Sequence, residues 1–110
     1  MRKFTSIVVA SLIFLISWVS AYSGEQATDK TINKVAMGWG GEGVYVWVNE
    51  SITPLQNCAS TTFVMSPNTP LFKENLSVLL SAFHSRSKVQ LYVDGCAGDA
   101  MSLKAVAVYR

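Results

Sequence analysis

The stretch from Pro67 to Cys96 constrains the fold most, because its hydrophobic period changes once, from helical to strand-like. Phe72, Leu76, Leu79, Leu80 and Phe83 recur at i, i+4, i+7, i+8 and i+11, which is one apolar stripe of an amphipathic helix. Val89, Leu91 and Val93 then alternate with the period of two that a strand shows. Pro70 suits the first helical position, with Asn68 or Thr69 as N-cap, and Arg86 and Lys88 place cations at the C-terminal end. Such a helix needs an apolar sheet to lie on, and the remaining segments supply its strands.

Upstream, Thr31 to Trp39 alternates in part. Ile32, Lys34, Ala36 and Gly38 fall on one side, and Val35, Met37 and Trp39 on the other. Gly40-Gly41-Glu42-Gly43 follows as a hairpin loop. It does not read as a phosphate cradle, since no helix and no Lys-Ser/Thr pair comes next. Val44 to Val48 is the strongest strand, with Val44, Val46 and Val48 on one face and Tyr45 and Trp47 on the other. Neither face is polar, so this strand is either covered on both sides or carries an aromatic patch for a partner.

Thr61 to Met65 reads as a third strand, and Val89 to Val93 as a fourth. Asp94-Gly95 is a turn signal opening a loop to Asp99. Met101 to Tyr109 is the last strand, with Met101, Leu103, Ala105, Ala107 and Tyr109 facing one way. The order β-β-β-α-β-β predicts a mainly β chain with one helix (α+β). Its sheet is either a small five-stranded OB-like barrel or an antiparallel sheet with one packed helix.

The N-terminus carries Arg2 and Lys3, an apolar run from Ile7 to Val19, and Val19-Ser20-Ala21 at its end. This is the pattern of a cleaved signal peptide over residues 1–21. The run is shorter than the ~20 residues that cross a bilayer, so no stable membrane insertion is expected after cleavage. Residues 22–30 are polar and aperiodic, and read as a flexible N-terminus. Residues 31–110 form one disulfide-bonded domain, exported to the periplasm or secreted. Without Arg2 and Lys3 the nine basic residues fall to seven and match the seven acidic ones. The charge footprint of a nucleic-acid binder is therefore missing. Cys58 and Cys96 are the only cysteines, and in an oxidising compartment they predict one structural disulfide.

Catalytic chemistry finds little support. His84 is the one histidine and falls beside Phe83, on the polar side of the helix. No Gly-x-Ser-x-Gly elbow occurs, and no Ser-x-x-Lys opens a helix. Asp94 and Asp99 belong to the turn region, and the other acidic residues are too scattered for a calcium loop. Two cysteines and one histidine are too few ligands for a metal centre. The expectation is no enzyme, no metal and no cofactor. Trp39, Tyr45 and Trp47 cluster at the first hairpin and are the candidate ligand-binding residues, suited to stacking on a sugar or entering a partner surface. The competing reading makes them the other half of a small core. Asn49-Glu50-Ser51 and Asn75-Leu76-Ser77 match the N-glycosylation pattern.

Cys58, Phe72-x3-Leu76, Lys88-Val89-Gln90-Leu91-Tyr92 and Cys96 together resemble a family of short exported bacterial proteins of unknown function, over about Ile32 to Arg110. In strand order and the join of helix to strand, the chain is more distantly similar to the receptor-binding B subunits of AB5 toxins. Those are OB-folds that assemble into sugar-binding pentamers. This second resemblance is architectural: it implies a glycan or protein partner and a homo-oligomer, and carries no contact residue over by position. Two functional expectations follow. One is a non-catalytic exported binding module acting through Trp39, Tyr45 and Trp47. The other is a monomeric periplasmic structural or inhibitory protein with no small-molecule ligand.

Overall fold

The computed structural model describes residues 24–38 and 43–110. The signal peptide expected over residues 1–21, Trp39 and most of the glycine loop lie outside the described residues. Five strands and one helix follow in the order β1 (Glu25–Met37), β2 (Val44–Val48), β3 (Phe63–Met65), α1 (Phe72–Ser85), β4 (Lys88–Ala97) and β5 (Ala100–Tyr109). The strands close into a ring in the order β1-β2-β3-β5-β4, with β4 returning to β1. All neighbours are antiparallel except β3 and β5, which run parallel. This is the OB-like member of the expected pair of architectures.

Ring closure explains why residues 25–30 are ordered as strand, where a flexible end was expected. β1 runs long enough to pair with β4 through its first half and with β2 through its second. Two extra residues in β1 bend it between these partners. Ala27 and Ile32 both face the interior despite an odd spacing, because the ladder takes up an extra residue between Ala27 and Lys30. Asp29 occupies this bulge in the left-handed region, with φ 57°. A second irregularity between Ile32 and Lys34 turns Val35, not Lys34, toward the core. The expected grouping of Ile32 with Lys34 and Ala36 is thereby corrected: Lys34 and Ala36 face outward.

β4 and β5 depart from simple alternation for the same reason. Asp94-Gly95, expected as a turn, is a bulge inside β4, where three steps from Val93 to Cys96 oppose two from Leu103 to Met101. Gly95 accommodates it with φ 79°. Directly paired residues share a face, so this extra residue puts Cys96 on the side of its partner Met101, toward Cys58. The turn itself falls later, at Gly98-Asp99, between the paired Ala97 and Ala100. In β5 an extra residue between Leu103 and Ala105 reverses the facing, so Val106 packs on the core while Ala105, Ala107 and Tyr109 are exposed.

The interior is filled by Val44, Val46, Phe63, Met65, Val89, Leu91, Val93, Met101 and Leu103. Leu79 and Ala82 of α1 close one side against β1 and β5. The helical stripe is thus rotated from its expected position: Phe72, Leu76 and Leu79 pack inward, but Leu80 and Phe83 are each 43% exposed. The helix also starts later than expected. A turn with Thr69 N–H donating to Ser66 C=O takes up Pro67, and Leu71, not Asn68 or Thr69, is the N-cap, in the left-handed region with no side-chain cap.

Cys58 and Cys96 form the expected disulfide. It closes a 38-residue separation, for which loop entropy gives roughly 3–4 kcal/mol. Gln56 fastens the same region without covalent help. Its backbone and side-chain N–H groups donate to Glu25 Oε1, and its Oε1 accepts the Gly95 N–H.

Candidate functional site

β2 divides its side chains between the two faces of the ring. Val44 and Val46 are buried inside, which leaves Tyr45 and Trp47 on the outer surface, both half-buried. Across the ladder Trp47 lies opposite Lys34, and Tyr45 lies between Ala36 on β1 and Val64 on β3. These five residues form one outward patch spanning three strands. The rings of Tyr45 and Trp47 are 6.3 Å apart between centroids and inclined by 20°, so their planes are nearly parallel. Lys34 Nζ sits 4.7 Å from the Trp47 ring centroid, a cation–π contact of about 0.5–1 kcal/mol at an exposed site.

A shallow groove of ≈ 440 Å³ borders this platform, lined by Tyr45, Val64, Ala97 and Gly98. Val64 is only 5% exposed yet does not belong to the interior cluster, so it is covered from outside the ring. The groove therefore joins the outer face of β2 and β3 to the β4–β5 turn.

The candidate residues are thus separated by the structure. Tyr45 and Trp47 come together as a surface pair and are not part of the core, while Trp39 lies outside the described residues. Lys34, Val64, Ala97 and Gly98 are additions that the sequence reading did not contain. Lys34 was missed because the bulge in β1 hides which side of the strand it shares with Trp47. Cys58 and Cys96 are joined as a structural bridge. His84 is exposed at the end of α1, and Asp99 is exposed at the β4–β5 turn.

One ion pair is well supported by hydrogen bonds. Glu50 Oε1 accepts the Thr31 backbone N–H at 2.8 Å, and its Oε2 meets Lys88 Nζ at 3.5 Å. Desolvation alone would raise this carboxyl. The Thr31 and Glu50 backbone N–H groups, the Thr31 hydroxyl and Lys88 outweigh it and hold the group below its ordinary value. Among the described residues no three His, Cys, Asp or Glu side chains are grouped to hold a metal ion, and no helix is long and apolar enough to cross a membrane.

No protein-family model, no curated protein and no solved structure matches the chain.

Proposed function

We propose that the chain is a non-catalytic exported binding module whose outer β2–β3 face takes a glycan, with a sugar ring laid on Trp47 and Tyr45. The observation that carries this reading is the pairing of two nearly parallel, half-exposed rings on the outside of a closed sheet. Core packing does not use these rings, and a flat apolar surface in contact with water favours a ligand with a flat C–H face. The bordering groove offers room for a second sugar unit, and Lys34 orients the Trp47 ring from the β1 side. The balance of seven basic and seven acidic residues beyond the expected leader supports a sugar over a polyphosphate chain. The disulfide is compatible with export.

A glycan array probed with the oxidised protein tests the reading, alongside Trp47→Ala. Bound glycans should lose roughly tenfold in affinity in the variant while its thermal melt stays close to the parent's. An array without signal, or signal unchanged by Trp47→Ala, overturns it.

A further inference from the structure

A second concave surface lies at the C-terminal end of α1, on residues the aromatic platform does not use. It is a groove of ≈ 540 Å³ between β1, the segment after β2, and the helix end. Ile32, 5% exposed, contributes an apolar side, and Phe83 stands beside it as a partly exposed ring. The remaining lining is rich in donors: Asn33, Asn49, His84 and Arg86, all exposed. Asn49 is fixed by its backbone N–H donating to Thr31 C=O at 2.8 Å, and Thr31 N–H is held in turn by Glu50. These bonds hold the backbone of β1 and of Asn49 together along one side of the groove.

The charge of the groove is one-sided. No acidic residue lines it, and the nearby Glu50 carboxylate is engaged by Thr31 and Lys88. Arg86 forms no ion pair among the described residues. Its backbone is held at φ 56° as the C-cap, with its N–H bound to Ala82 C=O. Glycine fits that left-handed position best, so an arginine there is not explained by local backbone preference. The helix dipole opposes an anion at this end, but with about half a charge against a full guanidinium.

We propose that this groove binds an acidic sugar, a pyranose carrying a carboxylate. The carboxylate meets Arg86, which is suited to bidentate recognition. The ring faces Phe83, and the carboxamides of Asn33 and Asn49 serve its hydroxyls, each offering both donor and acceptor. The inference is independent of the Tyr45–Trp47 platform, since the two surfaces share no residue.

The test is an NMR titration of backbone amides in the oxidised protein with methyl β-D-glucuronide and, separately, methyl β-D-glucoside, which lacks the carboxylate. The glucuronide should shift residues 31–33, 49 and 84–87, and the glucoside should not at equal concentration. Arg86→Gly should weaken glucuronide binding by at least about tenfold, with a melting temperature no lower than the parent's. Arg86→Gln should weaken it similarly, and Trp47→Ala should leave it unchanged. Absence of shifts, equal response to the glucoside, undiminished binding in both Arg86 variants, or shifts centred on Tyr45 and Trp47 would each overturn the assignment.

Discussion

The Tyr109 hydroxyl makes a two-way contact with Asp29: it donates to Asp29 Oδ1 at 2.9 Å and accepts the Asp29 backbone N–H at 2.7 Å. Asp29 is the left-handed residue of the β1 bulge, so its N–H points out of the ladder and needs another acceptor. Tyr109 supplies one from the far end of β5, reaching past β4. The bulge that starts the ring is thus tied to the strand that ends it, over eighty residues of sequence.

This contact predicts a titration. Partial desolvation and the hydrogen bond donated to Asp29 hold the Tyr109 phenol above the ordinary tyrosine value of about 10. The raised value belongs to the folded state. Its stabilisation is therefore complete below about pH 10 and is lost as pH rises through the folded value. Ultraviolet titration should show one tyrosine ionising late, and Asp29→Asn should move that step downward by removing the carboxylate. A titration identical in parent and variant would contradict the contact.

The two glycines that flank the core separate strain from collision. A Cβ on Gly95 meets nothing within 4 Å, so Gly95→Ala should cost only its φ of 79°, roughly 1–2 kcal/mol. A Cβ on Gly43 would fall 2.1 Å from the Met65 carbonyl oxygen, at φ 146°. Gly43→Ala should therefore cost more, because β2 and β3 must separate. Urea unfolding of both variants measures the order, and the reverse order would refute it.

Leu79 and Leu80 are adjacent in sequence and opposite in role. Leu79 is fully buried, and Leu79→Ala should cost about 2–5 kcal/mol. Leu80 is 43% exposed, and Leu80→Ala should change stability by no more than about 0.5 kcal/mol. Similar losses at both positions would restore the stripe as it reads from the sequence.

That stripe shows where sequence reading stops. The switch from helical to strand period around Arg86 marks the join of α1 to β4, since long periodic segments carry their own signal. The cysteine count gave the Cys58–Cys96 bridge, because two cysteines leave one pairing. The bulges were not legible. A single residue in the left-handed region, such as Asp29 or Gly95, reverses every facing beyond it, and its composition looks like a turn or a frayed end. Leu80 and Phe83 belong to the stripe yet stay exposed, because hydrophobicity alone does not say which edge of a stripe the sheet covers. For the site, Tyr45 and Trp47 were found by residue type, but Lys34 and Val64 join them only through strand pairing across the ring.

The Glu50 carboxylate carries the last prediction. It is held below its ordinary value in the fold, so in the unfolded chain it binds a proton at higher pH than in the native state. The stabilisation is present above the unfolded value of about 4.3 and disappears as pH falls through the folded one. Because the Lys88–Glu50 pair is partly exposed, screening keeps its worth below about 1 kcal/mol near neutral pH. Glu50→Gln retains an oxygen for the Thr31 N–H but loses the charge. The stability gap between parent and variant should be constant from pH 7 to 5 and shrink below about pH 4. Matched urea unfolding across this range tests it, and a gap that persists at pH 2 would show that shape, not charge, holds Glu50 against Thr31.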